Sequence, residues 1–229
     1  MLASVPGLLQ RTFWSLIGRM WAEQSPTAPH VHQVVSLVQE RLDCAEARLI
    51  DVGCGAGLYS VALAQAGFVV TGVDAAGGML AEARQALPGE LAARVSFDQG
   101  DLDARLAYPD ASFDAAVAIS VLQATRSPAH ASREILRLLK PGGYLVVLHF
   151  PRQDYHSHSL WQQVRDRLAL LKRKTLRNRI LAAVKVIAEQ SGGARYWSVG
   201  ELHNLLTNQG YQIESTPSNN PIVLVARRP

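Results

Sequence analysis

The sequence predicts an α/β fold: a doubly wound, mostly parallel seven-stranded sheet with an antiparallel C-terminal hairpin and a helical lid insert. Three observations predict it. Between residues 45 and 150, short apolar runs alternate five times with helical stripes across short connections. That rhythm calls for parallel strands with helices on both faces. The rhythm breaks at 152–195, where two helical stripes follow each other directly. Two last apolar runs are then joined through Pro217-Ser-Asn-Asn-Pro221, short enough for a hairpin. The chain has 229 residues, 48% hydrophobic and 18% charged, the balance of a globular chain with a real core rather than a disordered or fibrous one. We read 1–229 as one domain: N-terminal helices over 1–44, a core over 45–150, a basic helical insert over 151–195, and a helix and hairpin over 196–229.

The elements follow in order. Leu9, Phe13, Leu16, Ile17, Met20 and Trp21 recur at helical spacing, and Pro26 and Pro29 stop that helix. Val31, Val34, Val35, Val38 and Leu42 form the next stripe. Arg48–Val52 is a short apolar run ending in glycines and reads as a buried strand. Leu58–Ala66 is a helix stopped by Gly67. Phe68–Val73 is the second strand, and Gly78–Leu87 a helix closed by Pro88-Gly89. Arg94–Phe97 and Phe113–Ile119 are the third and fourth strands. Ala129–Leu139 is a helix stopped by Lys140-Pro-Gly-Gly143, and Tyr144–His149 is the fifth strand. In the insert, Trp161, Val164, Leu168 and Leu171, then Leu176, Ile180, Val184 and Ile187, mark two helices. Ser198–Gln209 is a helix capped by Gly210, followed by strands near Tyr211–Ser215 and Ile222–Ala226.

Composition narrows the function classes. Cys44 and Cys54 are the two cysteines, too few for a disulfide framework or a cysteine-only zinc site. The first residues show no basic n-region and no small-residue cleavage site, so no signal peptide is expected. No run is long and apolar enough to cross a bilayer, and a cytoplasmic location is the expectation. The net charge of +4 is unevenly placed. Residues 152–195 hold ten basic and three acidic side chains, so the rest of the chain is slightly acidic. A basic amphipathic stretch can rest on a membrane surface, or simply pack its apolar face and leave its charges in water.

The residues that carry chemistry lie just after strands, where ligands of such sheets bind. Asp51-Val-Gly53-Cys54-Gly55-Ala-Gly57 links the first strand to a helix. Alternate glycines permit a tight turn and close approach of a ligand to backbone. The helix N-terminus favours a negative group. The dinucleotide spacing G-x-G-x-x-G fails in both registers, where Leu58 and Ser60 occupy the last position. Asp51 at the loop entrance repels phosphate and suits an ammonium, so an amino-acid end is the expected ligand. Structural glycines in a plain strand–helix turn are the alternative. Asp74 ends the second strand and can accept from both hydroxyls of a ribose, or else cap the next helix. Gly100-Asp101-Leu102 offers an acid, a backbone N–H and an apolar wall to adenine, or else a simple turn. Amino acid, ribose and adenine together describe S-adenosylmethionine.

On these residues the chain resembles the class I S-adenosylmethionine-dependent methyltransferases, in the broad group that includes ubiquinone and menaquinone-type small-molecule enzymes. Asp51–Gly57 resembles the family's glycine motif, Val73-Asp74 its ribose acid, and Gly100-Asp101-Leu102 its adenine turn. Ser112-Phe113-Asp114 with the strand after it resembles the family's fourth-strand motif, and Leu138-Leu139-Lys140-Pro141-Gly142-Gly143 the turn before the fifth strand. Residues 45–150 match closely and 196–229 loosely. The resemblance implies a Rossmann-like fold, S-adenosylmethionine as methyl donor and S-adenosylhomocysteine as product. It implies a binding set of Asp51, Gly53, Cys54, Gly55, Gly57, Asp74, Ala75, Met79, Asp101, Leu102, Ala118 and Gln123. Many relatives carry a histidine where this chain has Gln123, so a proton role from that position does not carry over.

The implied reaction is in-line methyl transfer to a small, apolar or lipid-like acceptor. A sulfonium donor is already activated, so the protein has to align a nucleophile and exclude water. A general base helps only a protonated acceptor. His149 is the catalytic candidate, with Asp154, Tyr155, His156 and His158 just beyond it. A hydrogen-bonded strand-end histidine is the plainer reading of His149. His156-x-His158 lacks a third ligand at useful spacing, so no metal is expected. Asn/Asp-Pro-Pro-aromatic and Pro-Cys motifs are missing, so nucleic acid is not the expected partner; for 152–195, charges left in water are the leading reading and peripheral membrane contact the alternative. Two rival readings remain: a nicotinamide-dependent oxidoreductase, and a cofactor-binding subunit or membrane-surface module without turnover. The sequence leaves the oligomeric state open.

Overall fold

The computed structural model describes residues 29–43, 47–149, 197–215 and 221–229. The predicted helix at 8–22 and the insert helices of 152–195 lie outside the described residues. The first described helix, α1 (Pro29–Gln39), precedes β1 (Arg48–Val52). Then come α2 (Leu58–Gln65), β2 (Val69–Asp74), α3 (Gly77–Ala86) and β3 (Val95–Gln99). β4 (Phe113–Ile119), α4 (Pro128–Leu138) and β5 (Leu139–His149) follow. After the undescribed stretch come α5 (Val199–Thr207), β6 (Gln212–Ser215) and β7 (Ile222–Arg227).

The seven strands form one sheet in the order β3-β2-β1-β4-β5-β7-β6. β1 to β5 run parallel, and β7 runs antiparallel to both β5 and β6. The predicted mostly parallel seven-stranded sheet with an antiparallel C-terminal hairpin is therefore the observed one. Chain order reverses between β1 and β4, and the loops after those strands open a crevice there.

The central strands explain why apolar runs, not alternating patterns, mark this sheet. Leu49, Ile50, Asp51 and Val52 of β1 are all buried, because helices cover both faces. Successive residues enter opposite cores. Leu49, Val117, Val146 and Val223 pack with Val34 of α1, Leu63 of α2 and Leu80 of α3. Ile50, Ala116, Val147 and Leu224 pack with Ile135 of α4 and Leu206 of α5. α5 starts at a capping box. Ser198 Oγ accepts from the Glu201 N–H, and the Glu201 carboxylate accepts from the Ser198 N–H. Gly210, at φ 95°, ends the turn beyond it.

One local reading differs from the structure. α4 ends at Leu138, and Leu139 is already extended and paired with Phe113. The Lys140–Gly143 turn is thus an excursion inside β5 rather than a loop before it. The register shift between Phe113 and Ala115 on β4 absorbs it. The terminal hairpin does not extend the sheet in chain order. β7, apolar and buried from Ile222 to Ala226, takes the inner place beside β5, and the polar β6 takes the edge.

A buried carboxylate ties α4 to the loop before β4. Glu134 accepts the Leu106 N–H at 2.7 Å and holds Arg137 in a two-point pair at 2.6 and 2.9 Å. Arg137 also donates to the Leu106 and Tyr108 carbonyls. Glu134→Ala leaves the Leu106 amide without its acceptor and Arg137 with Asp110 as its remaining carboxylate, so a loss of about 2 kcal/mol is expected. Urea unfolding checks it, and Glu134→Gln, which keeps an acceptor for Leu106, should lose less.

Candidate cofactor-binding site

The loops after β1, β2, β3 and β4 surround a cleft of about 1030 Å³, its open mouth included. Of the residues predicted from sequence, Gly53, Gly55, Asp74, Ala75, Met79, Asp101 and Leu102 line it. Ile119, Ser120, Val121, Ala124, Thr125, Asp103 and Arg126 also line it and were not predicted.

The glycine loop is fixed by the end of β2. The Gly53 and Cys54 N–H groups both donate to the Val73 carbonyl, at 2.7 and 3.0 Å. The Gly55 N–H donates to Asp74 Oδ2 at 2.9 Å, and the Ala76 N–H to Oδ1 at 2.8 Å. Gly53, Gly55 and Gly57 all have positive φ. At Gly55 a Cβ would meet nothing within 4 Å, so that glycine leaves open room on the cleft wall. At Gly57 it would strike Phe97 Cζ at 2.7 Å. Gly57 therefore serves packing against β3. Helix α3 is capped at Ala76 without a side-chain bond, so Asp74 braces the turn but is not the cap.

Asp51 is placed differently from its reading as an ammonium partner. It is buried, behind the loop rather than among the cleft residues. Its Oδ2 accepts the Ser60 hydroxyl at 2.6 Å, and the Ser60 N–H also bonds it. The negative group at the α2 N-terminus is thus the chain's own. Burial, with Asp74 nearby, pushes the Asp51 carboxyl up to about 7. Burial likewise raises Asp74 and the Cys54 thiol. Cys54 and Ala118 are buried in the two cores.

His149, the catalytic candidate, ends β5 in a buried position. Its Nε2 accepts the Trp197 N–H at 3.1 Å, and its Nδ1 lies 3.3 Å from Gln123 Oε1. The Trp197 ring lies 5.6 Å away, centroid to centroid. Burial pulls the imidazole down to about 4. Neither His149 nor Gln123 is among the cleft residues. The other candidates, Asp154, Tyr155, His156 and His158, lie outside the described residues.

Two features escaped sequence reasoning. Ser120 holds φ 51° directly after β4, a strained backbone at the cleft wall. Asp103 clasps the cleft's rim: Oδ1 accepts the Arg126 and Ser127 N–H groups at 2.8 and 3.2 Å, and Oδ2 the Arg126 Nε–H at 3.1 Å. The Asp103 N–H in turn donates to Asp101 Oδ1 at 3.0 Å. Only the string Gly100-Asp101-Leu102-Asp103 hinted at it.

Two of the shifted groups, Asp51 and His149, give opposite pH dependences. Asp51 holds its proton longer when folded than the ordinary 3.8 allows, so stability falls as pH rises from about 4 to about 7. His149 is protonated less readily when folded than the ordinary 6.5 allows. Stability therefore falls as pH drops from about 6.5 to about 4. In wild type the two largely offset each other. Asp51→Asn should leave a stability that rises with pH across that window, by up to about 1.4 kcal/mol per pH unit. His149→Gln should leave one that falls. Urea midpoints from pH 4.5 to 7.5 read both slopes.

Comparison with known proteins gives similarities in sequence and in fold. The methyltransferase domain family matches residues 50–147. A ubiquinone biosynthesis O-methyltransferase of Xanthomonas oryzae pv. oryzae is 38% identical over 139 residues, 59% of this chain and 57% of that one. The chain thus spans a little over half the length of the curated relatives it matches. The magnesium protoporphyrin IX methyltransferase of Synechocystis PCC 6803, solved with S-adenosylhomocysteine, superposes with TM-score 0.68 at 19% identity. It covers 98% of this chain and 100% of its own. The cyclase SpnF superposes with TM-score 0.64 at 24% identity, over 90% of this chain and 86% of its own, so the fold alone does not fix the chemistry. Residues 50–147 thus match the methyltransferase domain family, and the chain shares its fold with solved methyltransferases.

Proposed function

We propose that the chain is an S-adenosylmethionine-dependent methyltransferase acting on a small, apolar or lipid-like acceptor. The carrying observation is the Asp74 carboxylate on the cleft wall. A carboxylate has about four lone-pair sites. The Gly55, Ala76 and Ala75 amides hold it from the loop side, and the carboxylate lines the cleft with acceptor room towards the hydroxyls of a ribose. The bare cleft wall at Gly55 and the apolar side of Leu102 fit the rest of such a ligand. The mismatch at Leu58 and Ser60 weighs against a nicotinamide dinucleotide, and the matched family supports the methyl donor.

When bound, S-adenosylmethionine supplies a methyl group on a sulfonium that needs no further activation. The chain's own tasks are then positional. Asp74 fixes the ribose. Gly53 and Gly55 let backbone approach the ligand. Val121 and Ala124 wall the cleft after β4, keeping water from the reacting pair. The names of the matched relatives support O-methylation in quinone chemistry. A cytoplasmic, reducing setting belongs to the same reading, supported by the free thiol of Cys54 beside the loop. Among the described residues no helix is long and apolar enough to cross a membrane. Peripheral membrane contact through the basic 152–195 stretch is part of the proposal too, and flotation with anionic liposomes tests it.

The experiment is transfer of labelled methyl from S-adenosylmethionine into a cell extract, split into lipid, small-molecule, RNA and protein fractions. Label is expected in the lipid or small-molecule fractions. Label confined to RNA or protein would overturn the acceptor class. Donor binding without transfer to any fraction would favour the subunit without turnover.

A further inference from the structure

Resting on that methyltransferase reading, we propose that Gln123 determines acceptor specificity as a fixed hydrogen-bond donor, and that His149 is the positioning residue that fixes it.

The argument runs from a backbone amide outward. The Trp197 N–H can only donate, so His149 Nε2 must carry a lone pair. A neutral imidazole with an accepting Nε2 bears its proton on Nδ1. Nδ1–H then donates to Gln123, which requires the carboxamide oxygen on that side, as observed at 3.3 Å. The carboxamide cannot flip without setting N–H against N–H. Its Nε2, with two hydrogens, is therefore turned away from His149. Gln123 is half-buried, and its Nε2 is not among the buried unpaired atoms of the described residues. Gln123 stands on the turn Leu122–Ala124, whose flanking Val121 and Ala124 line the cleft.

The chemistry this presents is one-sided. A fixed N–H pair suits an acceptor molecule with an oxygen lone pair at this point: an ionised hydroxyl, a carboxylate or a carbonyl. It disfavours an ammonium or another donor. His149 takes no proton in this scheme, because its lone pair is engaged by Trp197. For an acceptor that arrives ionised, the O–CH3 bond forms as the S–CH3 bond breaks, the electron pair stays on sulfur, and no proton moves.

The test has two arms. In the first, ¹⁵N NMR of His149 in the full chain with S-adenosylhomocysteine reads the tautomer without any acceptor. The Nδ1–H form is expected, and the Nε2–H form would overturn the proposal. In the second, variants are assayed by labelled methyl transfer into the small-molecule and lipid fractions of an extract. Gln123→Glu, which replaces the donors by an acceptor, should lose about 100-fold in transfer. Its affinity for S-adenosylhomocysteine should stay near wild type by calorimetry. His149→Asn keeps a donor towards Gln123 and should retain most activity. His149→Gln keeps the Trp197 contact, loses that donor, and should fall as Gln123→Glu does. Equal behaviour of the two His149 variants, or a parallel loss of cofactor affinity in Gln123→Glu, would overturn it. If wild type binds no S-adenosylhomocysteine, the methyltransferase reading fails, while the tautomer still decides the orientation of Gln123.

Discussion

Asp74→Ala should weaken S-adenosylhomocysteine binding by roughly 100-fold or more, read by calorimetry. Two hydroxyl bonds to one carboxylate are at stake, and bonds to charged groups contribute about 1.5–3 kcal/mol each. The same substitution removes the acceptor of the Gly55 and Ala76 amides, so the loop that lines the cleft loosens as well. Asp74→Asn separates the two effects. It keeps one acceptor oxygen and offers an N–H where a second acceptor is needed, so affinity falls while the fold is better kept. Unchanged affinity in both variants would remove Asp74 from the site.

Gly53→Ala carries the second large effect, and it acts on stability. The added Cβ would lie 2.3 Å from Val121 Cγ2 and 2.6 Å from its Cβ. Val121 is β-branched and stiff about χ1, so it cannot swing aside. The backbone at Gly53 also holds φ 70°, which by itself costs a side chain about 1–2 kcal/mol. With overpacking added, a loss of about 3 kcal/mol is expected, visible as a lower urea midpoint. Gly55→Ala is the control. It shares the positive φ but meets nothing within 4 Å. Its stability cost should be the smaller one, with the main loss in cofactor affinity because its Cβ enters the cleft.

How much of this was legible in the sequence follows from the range of the forces involved. β1 and β4 were read with their observed bounds because buried strands are short apolar runs with glycine or turn residues at their ends. The glycine loop, Asp74 and the Asp101 turn were legible because strand ends in such sheets meet ligand. The inner place of β7 was not, since pairing across the chain leaves no local pattern. The start of β5 at Leu139 was hidden by Pro141 and Gly142, which mark a turn without saying that it interrupts a strand. Asp51 was misplaced for a different reason. Its position at the loop entrance was clear, but a strand residue's side chain points to one face only, and here that face is the α2 N-terminus with Ser60. His149 was singled out correctly as a strand-end group. Its partners, Gln123 and Trp197, are 26 and 48 residues away in sequence, beyond what spacing reveals. Asp103 and Arg126 are separated in the same way.

The central claim is that the cleft beyond β1, β2, β3 and β4 takes S-adenosylmethionine through Asp74. A crystal structure of the chain with S-adenosylhomocysteine tests it most directly. The account predicts both ribose hydroxyls within hydrogen-bond distance of the Asp74 carboxylate, with the base against Leu102. Ligand density elsewhere, or a ribose turned away from Asp74, would contradict it.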